Sequence, residues 1–439
     1  MPRPRSREME RTLASKRLVA RLAPQRLKPI SGHDVKIAYF VHDLTDPAVA
    51  RRLRMLKAGG AEPVALGFRR EDQAPAEVAG VPAIDLGRTH DARLAHRAAK
   101  TLLTAAAGRR LARHLAGVEV VMARTLEMLA VAEAARRFAG SSARLVYECL
   151  DIHRLMLGQG VKSRALRTAE RALMRRADLL VVSSPAFLDA YFRPRQGLGR
   201  GLDTPVLLLE NKVLELEPDA APSAIAALPP GPPWRIAWMG AIRCRKSLDI
   251  LTDLAARRPD LVEVSIHGRP AHTEFDDFDA QVAAVDNVTF GGAYAAADLP
   301  RLYGEAHFAW AIDFMEEGQN SSWLLPNRLY EASRHGAVPI ALSGVETGRY
   351  LARHGFGVRL REPADLEGWL EGLSPRRYAA LRQEVAELPR RAFVADADDC
   401  VRMVQALGGA GAPEPRSGPL RRVAQNSHVQ PEHSPGEAV

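Results

Sequence analysis

The chain has little cysteine and no long apolar run. Its three cysteines, Cys149, Cys244 and Cys400, are odd in number and lack the spacing of a zinc site, which predicts a reducing compartment without structural disulfides. No apolar run approaches the roughly 20 residues that span a bilayer, and the basic N-terminus lacks the apolar core of a secretion signal. These absences predict a soluble, cytoplasmic protein.

Acidic side chains are scarce in the first half of the chain. Residues 1–220 contain 38 Lys and Arg against 24 Asp and Glu, whereas residues 221–439 contain 23 against 28. Such asymmetry predicts that the first half faces an anionic partner. No zinc spacing or aromatic RNA-binding strand supports a nucleic acid as that partner. The alternative is an Arg-rich surface that only keeps the protein soluble.

Apolar strands alternate with amphipathic helices along most of the chain. Strand patterns occupy residues 35–41, 63–68, 119–123, 144–148, 179–182, 206–209, 234–240, 262–268, 287–292, 307–312 and 338–341. This alternation predicts α/β domains built on doubly wound parallel sheets. We expect two domains, a linker, a basic N-terminal arm and a disordered tail. Their predicted ranges are 35–219 and 233–409 for the domains, 220–232 for the linker, 1–34 for the arm and 410–439 for the tail.

One stretch of the second domain combines a carboxylate, a glycine and a buried strand. The residues before Gly336 predict a helix on which Arg328 and Glu331 share a face, three residues apart. Gly336 ends this helix, and residues 338–341 continue as a short apolar strand. Open α/β sheets bind ligands at the carboxyl ends of their strands. Glu331 is therefore predicted to face a ligand, the alternative being an ordinary surface carboxylate.

A basic loop at residues 241–246 lies between a predicted buried strand and an amphipathic helix. A bound diphosphate needs closely approaching backbone, a helix N-terminus and cations. Gly240 allows the close approach of the backbone, and Arg243 and Lys246 supply the cations. Ser247 or a neighbour is expected to cap the helix. The alternative is a solvated basic turn.

Both segments resemble those of one enzyme family. The run Pro-Asn-Arg-Leu-Tyr-Glu that ends at Glu331 resembles the Pro-Asn-Lys-Leu-Phe-Glu pattern of GT-B glycosyltransferases, particularly family 4 and its relatives in exopolysaccharide synthesis. The basic loop resembles their Gly-Arg…Lys-Gly loop. The resemblance extends over roughly residues 36–407. It departs at Trp323, where many relatives carry a second glutamate near the donor sugar, and at Ser247, where glycine is usual.

The resemblance implies a GT-B fold, in which two Rossmann-like, doubly wound domains face a cleft. It implies a nucleoside-diphosphate sugar as donor substrate and no bound metal or other cofactor. Glu331 would bind the ribose hydroxyls, while Arg243 and Lys246 would hold the diphosphate. The donor-binding residues implied are Gly240, Arg243, Lys246, Asn327, Arg328 and Glu331.

For an enzyme of this family, the anionic partner of the first half is expected at a membrane. The acceptor would be a saccharide, free or linked to polyprenyl diphosphate, and the protein could lie peripherally on the inner face of the plasma membrane. A cluster of arginines in a predicted helix would contribute to this surface. Its members are Arg164, Arg167, Arg171, Arg175 and Arg176.

Two polar clusters follow predicted strands of the first domain. His42, Asp43 and Asp46 are expected to bind the acceptor or to begin a helix, with Asp46 as its N-cap before Pro47. Asp151 and then His153 are the candidates for a catalytic base, because a sugar hydroxyl has a pKa far above 7. The alternatives are that Asp151 caps the next helix and that His153 only hydrogen-bonds a loop.

The sequence thus predicts a glycosyltransferase of exopolysaccharide or cell-surface glycan synthesis. If Asp151 is a base, inversion at the sugar carbon follows. Otherwise retention assisted by the leaving diphosphate stays open. The alternative functions are a GT-B sugar-nucleotide epimerase or phosphorylase and a non-catalytic nucleotide-sugar-binding module.

Overall fold

A computed structural model describes residues 34–89, 104–105, 108–217 and 228–409. The predicted basic arm, apart from Asp34, and the predicted tail lie outside the described residues. So do residues 220–227 of the predicted linker. Strands and helices alternate through the described part, as the sequence predicts.

The strands of the first half are β1 (Val35–Val41), β2 (Ala61–Arg69), β3 (Glu77–Val78), β4 (Val81–Arg88), β5 (Val120–Arg124), β6 (Arg144–Cys149), β7 (Leu179–Val182), β8 (Val206–Leu208) and β9 (Val213–Leu214). Its helices are α1 (Pro47–Ala58), α2 (Gly108–Leu111), α3 (Leu126–Phe138), α4 (Arg154–Leu157), α5 (Val161–Met174) and α6 (Pro185–Phe187). A 3₁₀ turn lies at Ala112–Leu115 and a π-helical run at Leu188–Gln196.

The strands of the second half are β10 (Trp234–Ile242), β11 (Val262–Pro270), β12 (Val288–Phe290), β13 (Phe308–Trp310), β14 (Val338–Leu342), β15 (Val358–Leu360) and β16 (Val394–Ala395). Its helices are α7 (Arg245–Arg257), α8 (Phe278–Ala283), α9 (Leu299–Gly304), α10 (Asn320–Trp323), α11 (Asn327–Arg334), α12 (Glu346–His354), α13 (Asp365–Glu371), α14 (Pro375–Ala386) and α15 (Ala397–Gly408). Three 3₁₀ turns lie at His272–Glu274, Ala296–Asp298 and Arg390–Ala392. Across the described ranges, no helix is both long enough and apolar enough to cross a bilayer.

Two large sheets confirm the predicted doubly wound architecture. The first has the strand order β3-β4-β2-β1-β5-β6-β7-β8, and its strands are parallel except at the β3–β4 pair. The second has the order β12-β11-β10-β13-β14-β15 and is wholly parallel. The strand order reverses between β1 and β5 in the first sheet and between β10 and β13 in the second. At such switch points the carboxyl ends of the strands open a crevice that suits a ligand.

β1 shows why these sequences form central strands. Ala38 and Phe40 pack into the core on one face of the first sheet, while Ile37, Tyr39 and Val41 pack into the core on the other face. The alternation follows the two-residue period of a strand, and both faces are apolar because helices cover both. The burial of these side chains fixes the register of β1 in the sheet.

The last helix of the described chain packs on the first domain. Asp396 and Asp399 form a capping box that begins α15, and Cys400 and Met403 join the same apolar cluster as α1. A side chain at Gly59 would meet the Cys400 carbonyl at 2.3 Å, so glycine permits this close approach. Beside it, β16 pairs in parallel with β9. The chain therefore crosses from the first domain to the second before β10 and returns to the first domain at α15.

A buried charge network joins the carboxyl ends of β5 and β6 to α1. Glu148 is fully buried and accepts hydrogen bonds from Arg52 Nε at 2.7 Å, from Arg124 Nε at 2.9 Å and from the Tyr39 hydroxyl. Burial alone would raise the pKa of Glu148, but Arg124 and Arg52 lower it to about 2. The carboxylate is therefore ionised and holds α1 against the sheet.

Two local details of the second sheet differ from the prediction. The loop after β10 is shorter than expected, because β10 continues to Ile242 and α7 begins at Arg245. The prediction that Ser247 or an adjacent residue caps this helix is wrong, since Cys244 occupies the N-cap position. Ser247 is buried inside α7, where its Oγ accepts a hydrogen bond from Trp310 Nε1 at 3.1 Å.

Candidate active site

A cleft with an empty volume of about 880 Å³ lies between the carboxyl ends of the two sheets. Leu150, Asp151, Ser183 and Asn211 line it from the first half of the chain. The remaining lining residues come from the second half: Met239, Gly240, Ala241, Arg243, Tyr294, Asp313, Asn320, Leu324, Leu325, Pro326, Asn327, Arg328 and Glu331. The switch point of the second sheet therefore faces this cavity, whereas the first sheet reaches it through residues that follow β6, β7 and β8.

The structure brings together six of the residues singled out in the sequence. Asp151 and five donor-side residues, Gly240, Arg243, Asn327, Arg328 and Glu331, line this cleft. Five others are not among its lining residues: His42, Asp43, Asp46, His153 and Lys246. The predicted donor side is therefore largely assembled, whereas the predicted first-domain side reaches the cleft mainly through Asp151.

Glu331 lies on α11, whose N-terminal residues Asn327 and Arg328 also line the cleft. Leu329, Tyr330, Ala332 and Ser333 are buried, so one face of the helix packs into the domain and the other is left to the cavity. Burial raises the pKa of Glu331, and the nearby Arg51 and Arg328 oppose that rise. A polar ligand that donates hydrogen bonds to this carboxylate would satisfy it.

The basic side of the cleft is organised by Asp313, which the sequence analysis missed. Its carboxylate lies 3.7 Å from Arg243 Nη2 and 3.9 Å from Arg328 Nη2, and its side chain is 8% exposed. Gly240, near the end of β10, has φ +111°, a conformation that favours glycine. Asp313 therefore lies between two guanidinium groups beside an open stretch of backbone, an arrangement that suits an anion. Arg328 also donates to the carbonyls of Met239 and Ile312 at 3.4 and 3.3 Å.

Lys246 is engaged elsewhere in this structure. Its Nζ lies 2.8 Å from Glu317 Oε2 and 4.4 Å from the centre of the Phe314 ring. Its neighbour Arg245 turns away to Asp276. Of Arg243, Arg245 and Lys246, only Arg243 belongs to the lining of the cleft.

Asp151 and His153 occupy different environments. Asp151 Oδ1 accepts a hydrogen bond from the side-chain amide of Asn320 in the second half of the chain. The residue that caps α4 is His153, whose Nδ1 accepts from Leu155 N at 3.2 Å. The alternative in which Asp151 caps this helix is therefore excluded. His153 makes a local hydrogen bond to the backbone, as the alternative for that residue described.

The cluster at the end of β1 is tied to neighbours in the first domain. Asp46 caps α1 by accepting from Ala48 N at 2.8 Å, as predicted. His42 Nε2 lies 3.6 Å from Asp46 Oδ2, and burial lowers the pKa of His42. Asp43 is buried and pairs with Arg70 at 3.0 Å. These contacts support the helix-entry interpretation, and the acceptor-binding role stays a prediction.

The predicted arginine cluster does not form one exposed face. Arg167 Nη1 donates to the carbonyls of Met156 and Gly158 at 2.6 and 2.7 Å, and Arg171 Nη2 donates to the Arg195 carbonyl at 2.5 Å. These two side chains stabilise neighbouring turns. A membrane-facing surface on this helix would rest on the exposed members of the set, Arg164, Arg175 and Arg176.

Known proteins place this geometry in context. No family model matches the chain. The succinoglycan biosynthesis protein ExoL of Rhizobium meliloti (strain 1021) is 45% identical to it over 403 residues, which cover 90% of this chain and 99% of that protein.

Solved structures share the fold at low sequence identity. Sucrose-phosphate synthase of Thermosynechococcus elongatus has a TM-score of 0.65 at 15% identity, with 85% of this chain and 98% of that chain covered. HepE of Anabaena, solved with UDP and glucose, has a TM-score of 0.59 at 16% identity, with the same coverage. These likenesses confirm the predicted GT-B fold.

Proposed function

The chain belongs to the family of the succinoglycan biosynthesis protein ExoL, and on that premise we propose a transfer reaction for its cleft. The protein is a glycosyltransferase of exopolysaccharide synthesis that moves a sugar from a nucleoside-diphosphate sugar to a saccharide acceptor. The observation that carries this proposal is the cleft itself, in which a buried carboxylate and paired arginines face Asp151 across the domain boundary. One side suits a nucleotide and the other suits an acceptor hydroxyl.

On the donor side, the ribose, the diphosphate and the base of a nucleotide sugar each have a matching partner. Glu331 accepts from the ribose hydroxyls, which satisfies a carboxylate whose burial raises its pKa. Arg243 and Arg328, aligned by Asp313, bind the diphosphate. Tyr294 lines the cleft and offers a ring for the base. Burial and then the nearby Glu331 raise the pKa of Tyr294. HepE, which shares the fold, was solved with UDP, and this supports uracil as the base.

On the acceptor side, Asp151 acts as general base. The acceptor oxygen forms a bond to the sugar carbon, its proton passes to the Asp151 carboxylate, and the bond from that carbon to the diphosphate breaks. The nucleoside diphosphate leaves with the bonding electrons, and Arg243 offsets the charge that develops on it. A single displacement of this kind inverts the sugar carbon.

The acceptor is a saccharide linked to polyprenyl diphosphate at the inner face of the plasma membrane. Exposed Leu155 and Val161 lie just after Asp151, beside the exposed Arg154, Lys162 and Arg164. Apolar side chains flanked by basic ones suit a membrane surface with anionic lipid. A lipid-linked acceptor held there would present its sugar to the cleft.

Transfer from labelled UDP-glucose to a lipid extract tests the proposal. Purified protein is incubated with radiolabelled UDP-glucose and lipids from exopolysaccharide-producing cells, with other UDP-sugars in parallel. Label is expected to enter the organic phase for at least one donor. UDP binding without transfer from any donor would favour a binding module instead. An altered sugar still attached to the nucleotide would favour an epimerase.

Glu331→Ala is expected to weaken UDP binding by roughly 1.5–3 kcal/mol, because a hydrogen bond to a charged group is lost. The fold should persist, since this carboxylate faces the cavity and not the apolar core. Isothermal titration with UDP measures the effect. Glu305→Ala, which removes an exposed carboxylate paired with Arg301, is the matched control and should bind UDP normally. Equal affinities in the two variants would contradict the ribose assignment.

A further inference from the structure

Residues 313–323 connect the donor side of the cleft to the first domain, and we call them the bridging segment. At one end, Asp313 pairs with Arg243, and Phe314 N donates to Cys244 Sγ at 3.3 Å. At the other end lies α10, which includes Trp323, where many relatives carry a glutamate near the donor sugar. The bridging segment thus runs from the proposed donor site to the first domain, which supplies the acceptor side.

The far end of the bridging segment is packed on the first domain. Trp323 and Leu324 contact the apolar cluster on one face of the first sheet. The Trp323 carbonyl accepts a hydrogen bond from Ser184 Oγ at 2.5 Å. A glutamate at position 323 would place its carboxylate against this apolar cluster, so the packing accounts for the tryptophan. The family's second glutamate is therefore replaced by a contact between domains.

Asn320 makes the most specific of these contacts. Its side chain is 3% exposed. The amide nitrogen donates to Asp151 Oδ1, and the amide oxygen accepts from Ile152 N at 3.3 Å. The amide's donor meets an acceptor and its acceptor meets a donor, so only one orientation of the group fits. Both partners belong to the first domain, while Asn320 belongs to the second.

This pairing fixes one oxygen of Asp151 and leaves the other for chemistry. Among the described residues, no hydrogen-bond donor contacts Asp151 Oδ2. Glu316 of the second domain lies near enough to Asp151 for its pKa to be raised by burial and then by Asp151. Arg243 and Arg154 oppose that rise. A hydrogen bond from a neutral amide therefore orients Asp151 without neutralising it.

We infer that Asn320 is a positioning residue that sets the proposed base for the reaction. The donor domain supplies it, so Asp151 is oriented only when the two domains meet across the cleft. The inference rests on the proposed function, in which Asp151 accepts the proton of the acceptor. Through α10, the orientation of the base depends on the approach of the donor domain.

The test measures transfer from UDP-glucose to the lipid extract in Asn320→Ala, Asn320→Asp and Ser184→Ala variants. Asn320→Ala is expected to lower kcat by about 10- to 100-fold, since misplacing a reacting group by about 1 Å has effects of that order. The KM for UDP-glucose and the affinity for UDP should stay within about twofold. Asn320→Asp keeps the shape of the side chain but removes the donor, so it should lose at least as much kcat.

Ser184→Ala is the matched control, because it removes the hydrogen bond from Ser184 to the Trp323 carbonyl without touching Asp151. Its kcat should stay close to that of the unaltered protein. A near-normal kcat in Asn320→Asp, or an equal loss in Ser184→Ala, would reduce Asn320 to a packing role and overturn the inference. Weaker UDP binding in the Asn320 variants would overturn it as well.

Asp151→Asn separates this inference from the proposed function. A large loss of kcat in Asp151→Asn with normal kcat in both Asn320 variants would refute the positioning role alone. Unchanged transfer in Asp151→Asn would refute the base assignment and the inference resting on it. Absence of transfer by the unaltered protein from every UDP-sugar would refute the proposed function itself.

Discussion

Arg243→Ala is expected to lower kcat by about 10²- to 10³-fold, the usual effect of removing one group that stabilises developing charge. Arg243 is the cation of the basic turn that lines the cleft, and Asp313 aligns it at 3.7 Å. Because charge grows on the leaving diphosphate, its loss should affect turnover more than acceptor binding. Steady-state transfer from UDP-glucose, with donor and acceptor varied separately, measures the two effects.

One neighbour of Arg243 serves as a control and another as a separate test. Arg245→Ala removes a guanidinium two positions away that pairs with Asp276 outside the cleft, and it should leave kcat unchanged. Lys246→Ala asks whether this lysine leaves Glu317 for the donor diphosphate, in which case kcat should fall as for Arg243→Ala. A change confined to the acceptor KM would place the basic turn on the acceptor side and contradict the assignment.

Glu148→Gln is expected to lower the free energy of unfolding of the first domain by about 3–5 kcal/mol, the typical cost of breaking a buried ion pair. The substitution keeps the shape of the side chain but leaves the buried guanidinium groups of Arg52 and Arg124 without their counter-charge. Urea denaturation followed by circular dichroism measures it. A loss below about 1 kcal/mol would mean that water or another carboxylate compensates these arginines.

Glu170 provides the matched comparison and an opposite dependence on pH. It is also buried, but its partners are the neutral side chains of Tyr147, Tyr191 and Gln196. Burial raises its pKa, so Glu170→Gln should cost much less at neutral pH than Glu148→Gln.

The sign of each pH effect follows from the direction of the pKa shift. The pKa of Glu148 is lowered to about 2 in the folded protein. Its stabilisation is therefore fully present above the unfolded value near 4.5 and is lost as the pH falls from there towards 2. The pKa of Glu170 is raised, so its contribution is present at low pH and is lost as the pH rises through its folded value. Urea midpoints of the unaltered protein, Glu148→Gln and Glu170→Gln, each measured at pH 3 and pH 7, distinguish the two groups.

Periodicity and turn residues predicted most of the fold because they act locally. The buried strands β1 and β7 begin and end where the apolar runs do, and Asp46 caps α1 next to a proline. Where the prediction was wrong, tertiary packing decided. Ser247 has the chemistry of an N-cap, but the indole of Trp310 takes its hydroxyl inside the helix.

The site was predictable wherever one chain segment carries it. Glu331 and Arg328 share one helix, and Gly240 and Arg243 are near neighbours at the end of β10, so spacing alone places each pair together. Asp313 had a usable signal, because it is the first polar residue after a predicted buried strand. Asn320 had none, since its contact with Asp151 joins residues 169 positions apart. The pairing of Lys246 with Glu317, 71 positions along the chain, likewise had no signal in the sequence, and the donor-binding role of Lys246 stays a prediction.

The return of α15 to the first domain has a consequence for how the chain is made on the ribosome. The apolar surface of α1 that receives Cys400 and Met403 emerges early, whereas the helix that covers it is among the last described elements to be translated. Until then that surface is exposed beside a folded or folding second domain, a state in which partly folded chains aggregate. Completion of the first domain therefore coincides with completion of nearly the whole chain. A nascent chain that stops before Ala397 would lack α15 and would leave the ribosome with the apolar surface of α1 exposed.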